Sequence, residues 1–103
     1  MEISVEQLQE KFERGETPFL LDVREVYEHQ IVNLGGHLIP MNFIPNRLNE
    51  LDPSREIIVY CHHGSRSRSV VNYLKKNGFP LAKNLTGGID AWSLKIDPKI
   101  KRY

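Results

Sequence analysis

The stretch Ile57-Ile58-Val59-Tyr60-Cys61-His62-His63-Gly64-Ser65-Arg66-Ser67 decides the fold of this 103-residue chain. Its first four residues are three β-branched residues and a tyrosine, which predict a strand with no breaker. A polar loop with one glycine begins at Cys61, and we expect a helix from about Ser67 to Asn77, with Gly78 just past its end. A strand that leads through a loop into a helix is typical of α/β folds.

Outside this stretch, short apolar runs alternate with segments of helical periodicity. Ser4 and Gln7 have the spacing of a capping box at the start of a first helix, which Gly15 ends. Two further short runs, Phe19–Val23 and His37–Pro40, have the length of buried strands, and Ala82–Leu85 is expected to be a final short strand.

Two more helices complete the predicted pattern. A small one is expected at about Phe43–Leu51, with Asn42 as its cap and Pro45 in its first turn. Another carries Ala91 and Trp92. The whole pattern predicts an α/β fold over residues 1–103, with a mostly parallel central sheet flanked by helices on both faces. Ligands of such sheets bind beyond the carboxyl ends of the strands, and Cys61 follows one directly.

Composition excludes several classes of protein. The net charge is +1, so no overall field favours nucleic acid or a membrane surface. The apolar runs are too short to span a bilayer, and Met1–Glu6 lacks the basic and apolar regions of a signal peptide. A single cysteine cannot form an intramolecular disulfide. We therefore expect a cytoplasmic protein with no nucleic-acid or membrane partner.

The surroundings of Cys61 predict a reactive thiolate rather than a buried inert thiol. Thiolates are favoured at helix N-termini and beside cations, and Arg66 and Arg68 supply permanent positive charge. Backbone N–H groups of the loop and the first helical turn can point at the sulfur. We expect Cys61 to be the nucleophile and the rest of the loop to bind its anionic substrate: His62, His63, Gly64, Ser65, Arg66 and Ser67.

The loop resembles the active-site loop of the rhodanese family, in which Cys-x-x-Gly-x-Arg-Ser follows an apolar strand. Two other segments are similar to rhodanese motifs in order and spacing: Leu21-Asp22-Val23-Arg24-Glu25 and Leu85-Thr86-Gly87-Gly88-Ile89-Asp90-Ala91-Trp92. The resemblance covers about residues 20–92. It implies a rhodanese-like fold and a sulfurtransferase in which Cys61 carries sulfur as a persulfide, with a small anionic sulfur donor and with neither cofactor nor metal.

A finer resemblance concerns Asn33–Pro40 and the ending from Trp92 to Tyr103. Both are similar to the rhodanese-like domain that is fused to adenylylating enzymes of the molybdopterin and thiocarboxylate pathways. This resemblance implies a ubiquitin-like sulfur-carrier protein as acceptor, or a cysteine desulfurase as donor. The basic residues Lys95, Lys99, Lys101 and Arg102 either serve solubility or dock an acidic carrier.

Residues near the predicted strand ends have supporting roles in this interpretation. We expect Asp22 and Arg24 to pair with local backbone or with other charges, with Glu28 as a partner for Arg24, because buried charges are normally paired. The segment Thr86–Gly88 also follows a strand, so it is expected close to Cys61. Trp92 is expected in the core.

Three alternatives stay open from the sequence. Cysteine phosphatases and the related arsenate reductases resemble this loop but place five residues between Cys and Arg, whereas four separate Cys61 from Arg66. A metal site at Cys61, His62 and His63 is disfavoured, because adjacent residues seldom direct both side chains at one ion. A non-catalytic rhodanese-like module would bind or regulate a partner without needing its cysteine.

Overall fold

The computed structural model describes residues 1–103 and contains one five-stranded sheet with the strand order β1-β5-β4-β2-β3. Every pairing between neighbouring strands is parallel. The strands have these bounds: β1 Glu2–Ile3, β2 Phe19–Asp22, β3 His37–Leu38, β4 Ile57–Tyr60 and β5 Ala82–Leu85. The predicted α/β architecture is confirmed, and its sheet is wholly rather than mostly parallel.

Four α-helices and two 3₁₀ helices connect the strands. The α-helices are α1 Val5–Glu13, α2 Val26–Ile31, α3 Ser65–Lys76 and α4 Gly88–Lys95. The predicted capping box of α1 is present, since the Ser4 hydroxyl accepts the Gln7 N–H and the Gln7 side chain accepts the Ser4 N–H. The sequence did not predict β1 or α2, because two and six residues are too few to show a clear period.

The helix expected at Phe43–Leu51 is instead two 3₁₀ helices, Met41–Asn46 and Leu48–Glu50. Asn42 lies inside the first of them and does not cap it, which corrects the prediction. Pro45 also lies inside this segment. Because proline lacks the N–H that an α-helix interior requires, it favours the short 3₁₀ form here.

Two apolar clusters lie on opposite faces of the sheet and hold the helices there. Along β4, Ile57 and Val59 belong to the cluster that contains α3 and the first 3₁₀ helix. Ile58 and Tyr60 belong to the cluster that contains α1 and α4. Alternate residues of a strand point to opposite faces, so β4 is buried on both sides, as its continuous apolar sequence predicts.

The parallel sheet brings the candidate site residues to one edge. Because β2, β4 and β5 run in the same direction, the residues after Asp22, Tyr60 and Leu85 emerge at the same end of the sheet. Cys61 and Gly87 belong to two of the segments that meet there. None of the helices has the length and apolar content needed to cross a bilayer.

We expect Leu21→Ala to destabilise the fold by about 2–5 kcal/mol, because the substitution removes fully buried methyl groups at the centre of the sheet. Leu94→Ala is the matched control, since Leu94 is 57% exposed. Urea denaturation would give both free energies of unfolding. Equal losses in the two variants would contradict the proposed location of the core.

Candidate active site

The Cys61 sulfur lies at the carboxyl end of β4 and accepts hydrogen bonds from the loop that follows it. The backbone N–H of Gly64 is 3.1 Å from the sulfur, and that of Ser67 is 3.4 Å away. The Ser67 hydroxyl lies 3.3 Å from it. The residue is only 1% exposed. Since α3 begins at Ser65, the positive end of its dipole lies at the same end of the sheet as the sulfur.

Gly64 makes the tight curl of this loop possible. Its φ of 109° lies in the left-handed region, and a Cβ there would approach the backbone nitrogen of Gly87 to 3.3 Å. Because this turn already directs the chain into the helix, α3 begins at Ser65 and not near Ser67 as the sequence predicted. The side chain of Ser65 is exposed, whereas that of Ser67 is buried.

The glycines at the start of α4 and the first turn of this helix pack directly on the loop, as expected. The N–H of Ile89 donates to the Cys61 carbonyl at 2.9 Å, and the N–H of Asp90 donates to the His62 carbonyl at 3.1 Å. A Cβ on Gly88 would lie 2.5 Å from the Cys61 carbonyl oxygen, so only glycine fits. The first turn of α4 therefore holds the loop backbone.

Asn84 is a buried site residue that the sequence analysis did not single out. Its amide nitrogen donates to the Gly64 carbonyl at 3.2 Å, and its carbonyl oxygen accepts the Ser67 hydroxyl. Asn84 thus connects β5 to Gly64 and Ser67, the two residues whose N–H groups reach the Cys61 sulfur. A polar residue in a predicted strand could have indicated this role. If the strand is buried, as Asn84 is here, the side chain must find hydrogen-bond partners inside the protein.

Arg66 is held by Glu28 and makes no hydrogen bond to the Cys61 sulfur. Its two terminal nitrogens donate to the two carboxylate oxygens of Glu28 at 2.7 and 3.0 Å. The Arg66 guanidinium lowers the pKa of Glu28 to about 2. Glu28 in turn raises the pKa of Arg66, with a smaller contribution from the charge on Cys61. The expectation that Glu28 pairs with Arg24 is wrong.

Asp22 and Arg24 form a fully buried ion pair with each other, which confirms that they pair locally. The Arg24 guanidinium donates to both Asp22 carboxylate oxygens at 2.9 and 2.8 Å, and also to the Val32 carbonyl. His29 lies 2.8 Å from the same carboxylate. Burial by itself lowers the pKa of Arg24, but the bonds to Asp22 and Tyr103 outweigh burial and raise it.

His62 and His63 do not add two positive charges to the site. Burial, and then the nearby His63, lower the pKa of His62, so its ring is neutral at pH 7. The two rings stack with centroids 3.9 Å apart. The Nε2 atom of His62 is buried and has no hydrogen-bond partner. Arg68, also expected to contribute charge, instead approaches Glu2 of β1 at 3.4 Å.

One group of side chains at this end of the molecule has the composition of a metal site. Potential ligand atoms of His62, His63 and Asp90 lie within 4.8 Å of one another. However, Arg102 donates to both oxygens of the Asp90 carboxylate at 2.9 and 3.3 Å, and the histidine rings are stacked rather than converging. We do not assign a metal to these residues, and the absence of a metal stays a prediction.

Comparison with known proteins identifies the family. Residues 4–95 match the rhodanese-like domain. The chain belongs to this family. It is 34% identical to a sulfurtransferase of Allochromatium vinosum, over 89% of this chain and 87% of that protein. It is 31% identical to the adenylyltransferase and sulfurtransferase MOCS3 of Arabidopsis thaliana, over 98% of this chain and 25% of that protein.

Solved structures confirm the rhodanese-like fold. A rhodanese-like domain protein from Staphylococcus aureus superposes with a TM-score of 0.85 at 31% identity, covering 100% of this chain and 99% of that one. Several curated relatives are much longer than this rhodanese-like domain, which spans 37%, 52% and 25% of their lengths.

Trp92 packs against the core, as expected. It is half-buried against the cluster on the α1 and α4 face, and its ring meets that of Phe12 edge to face at 6.0 Å. Phe12 itself is 40% exposed. Trp92 therefore joins α4 to α1 and does not line the space around Cys61.

We expect Glu28→Gln to reduce the dependence of stability on acid pH. The pKa of Glu28 is about 2 in the folded chain, against an ordinary value of 4.5, so its ionised form stabilises the fold above pH 4.5. This contribution, at most about 3 kcal/mol, is lost as the pH falls from 4.5 towards 2. Urea denaturation from pH 7 to pH 2 measures it.

Glu13→Gln is the control for that series, since Glu13 is exposed on α1 and belongs to no ion pair. It should keep the pH dependence of the wild type. A wild-type slope in Glu28→Gln would contradict the assigned role of the Arg66–Glu28 pair.

We also expect Gly64→Ala to slow the alkylation of Cys61 by iodoacetamide, because the added Cβ displaces the N–H groups from the sulfur. Gly15→Ala is matched to it, since Gly15 also has a positive φ but has open space around it. Both variants should lose roughly 1–2 kcal/mol of stability, while only Gly64→Ala changes the alkylation rate. Equal rates in both would rule out the loop as the source of reactivity.

Proposed function

We propose that this protein is a sulfurtransferase in which Cys61 carries sulfane sulfur as a persulfide. The observation that supports this most directly is the buried Cys61 sulfur, which accepts the backbone N–H groups of Gly64 and Ser67 at the start of α3. Such donors stabilise a negative charge on the cysteine and on a sulfur atom bound to it. Relatives named as sulfurtransferases agree with this chemistry.

The first half-reaction loads the cysteine. The Cys61 thiolate attacks the outer sulfur of a small anionic donor such as thiosulfate. A new sulfur–sulfur bond forms, the donor's sulfur–sulfur bond breaks, and sulfite leaves with the electron pair. The outer sulfur of the persulfide then bears the negative charge. The loop N–H groups and the nearby Arg66 stabilise this charge.

The second half-reaction returns the enzyme to its starting state. A nucleophile attacks the outer sulfur, and the Cys61 thiolate leaves with the electrons of the broken bond. Cyanide becomes thiocyanate in this step, and a thiolate becomes a persulfide. Each step moves one sulfur atom and requires neither a metal nor a cofactor. A reaction in which the product of the donor leaves before the acceptor reacts has ping-pong kinetics.

The other residues of the loop have distinct parts in this proposal. Gly64 allows the curl, Ser67 contacts the sulfur with its hydroxyl, and Arg66 attracts the anionic donor. His62, His63 and Ser65 line the approach to the loop. Asp22 and Arg24 hold the end of β2 in place. The chain continues from there into α2, where Glu28 binds Arg66.

The acceptor that fits the finer resemblance is a small sulfur-carrier protein of acidic surface. Three basic residues toward the C-terminus are exposed and available for docking: Lys95, Lys99 and Lys101. Arg102 is already paired with Asp90. A protein persulfide on a cysteine desulfurase is the alternative donor. We place this exchange in the cytoplasm, where thiols stay reduced.

The decisive experiment is mass spectrometry after incubation with thiosulfate. We expect one added sulfur atom on Cys61 of the wild type, its removal by cyanide, and no uptake by Cys61→Ser. Steady-state rates should show the parallel double-reciprocal lines of a ping-pong reaction. Intersecting lines together with an unmodified Cys61 would refute the proposal.

The same preparations separate the remaining alternatives. A cysteine phosphatase would hydrolyse p-nitrophenyl phosphate, and we expect no such turnover, because the loop between Cys61 and Arg66 is one residue shorter than a phosphate-binding loop. A non-catalytic module would bind a carrier protein equally well with or without Cys61. Partner binding without sulfur uptake would favour that reading.

A further inference from the structure

Tyr103 joins the two ion pairs of the site through its hydroxyl group. The hydroxyl donates to Oε2 of Glu28 at 2.7 Å and accepts a hydrogen bond from Nη1 of Arg24 at 2.8 Å. Oε2 of Glu28 is the same oxygen that accepts one nitrogen of Arg66. One phenol thus bridges the buried Asp22–Arg24 pair and the Glu28–Arg66 pair beside Cys61.

The ring of Tyr103 also determines where His62 lies. The two rings stack with centroids 3.9 Å apart and an angle of 7° between their planes. His62 makes no side-chain hydrogen bond, and its buried Nε2 atom is unpartnered. Its orientation therefore depends on stacking between Tyr103 on one side and His63 on the other.

Hydrogen bonds join residues 97–102 to α4 and so fix the position of Tyr103. The Ser93 hydroxyl bonds to the Ile100 carbonyl, and Asp97 donates its N–H to the Trp92 carbonyl at 2.9 Å. Arg102 binds the Asp90 carboxylate. The first turn of α4 meanwhile bonds to the Cys61 and His62 carbonyls, so one helix positions both the loop and Tyr103.

We propose that Tyr103 is a positioning residue of the sulfur-transfer site, which holds Arg66 through Glu28 and holds His62 by stacking. This inference rests on the proposed function and adds to it a residue far outside the cysteine loop. The hydroxyl keeps the shared Glu28 oxygen in place and thereby fixes the position of the Arg66 guanidinium. The ring keeps the neutral His62 side chain in one orientation beside Cys61.

The test compares Tyr103→Phe, which loses only the hydroxyl, with Tyr103→Ala, which also loses the ring. Tyr103→Phe should lower kcat/KM for loading by thiosulfate about tenfold, the effect of losing one hydrogen bond to a charged group. Tyr27→Phe is the matched control, because Tyr27 is 63% exposed on α2, and it should load like the wild type. Thermal denaturation confirms that each variant is folded.

Two further measurements test the role of Tyr103 without requiring sulfur transfer. Iodoacetate is anionic and iodoacetamide is neutral, so the ratio of their rates with Cys61 reports the positive charge that faces the sulfur. This ratio should fall in Tyr103→Phe and in Tyr103→Ala. In Tyr103→Ala alone, the pKa of His62 measured by NMR should rise towards its ordinary value, because burial is the main cause of its lowering.

Wild-type loading and a wild-type rate ratio in Tyr103→Phe would overturn the role of the hydroxyl in positioning Arg66. An unchanged pKa of His62 in Tyr103→Ala would overturn the role of the ring. Failure of the wild type to take up sulfur would overturn the proposed function alone. The alkylation ratio and the pKa of His62 would still test whether Tyr103 positions Arg66 and His62.

Discussion

The pairing of Arg24 in the protein interior is the interaction on which the rest of the site depends. Removing a guanidinium and a carboxylate from water costs several kcal/mol per ion unless excellent geometry compensates. Here Asp22 takes two guanidinium nitrogens of Arg24, and the Val32 carbonyl and the Tyr103 hydroxyl take further hydrogen bonds. Loss of any one of these partners leaves a buried charge incompletely satisfied, so the segments that supply them are held together.

The chain of contacts that starts at Arg24 ends at the turn around the Cys61 sulfur. Tyr103 connects Arg24 to Glu28, and Glu28 connects to Arg66, which stands next to the turn that surrounds Cys61. Each link is a charge-assisted hydrogen bond, the stronger class of such bonds in proteins. The site is therefore stiff without any direct contact between Arg66 and the sulfur. Its anion-binding groups at the sulfur are backbone N–H groups, which cannot swing away as a side chain can.

Cys61 combines burial in the apolar core with hydrogen-bond donors directed at its sulfur. A cysteine in an apolar interior is normally inert, because burial disfavours the thiolate. Cys61 belongs to the apolar cluster on the α3 face, yet its sulfur receives N–H groups from the start of a helix. Under the proposed function, the same donors would stabilise the negative charge of a persulfide on Cys61.

Most of the sheet and the reactive loop could be predicted from local sequence. The continuous apolar run of β4 predicts its burial on both faces, and Ser4 with Gln7 predicts the first helix, because these signals lie within a few residues of one another. The short elements β1 and α2 could not be predicted this way. The 3₁₀ helices at 41–50 also differ from the expected α-helix, since Pro45 inside the first of them lacks the N–H that an α-helix interior requires.

The sequence by itself determined the α/β order of elements and the presence of a cysteine, a glycine and an arginine in one loop. Only the tertiary structure decided that Glu28 binds Arg66 rather than Arg24, that Asn84 holds the turn, and that Tyr103 meets both ion pairs. The physical reason is that a local pattern records backbone preference and burial. The partner of a buried charge depends on which distant segments meet at the end of the sheet, and Tyr103 lies 75 positions after Glu28 in the sequence.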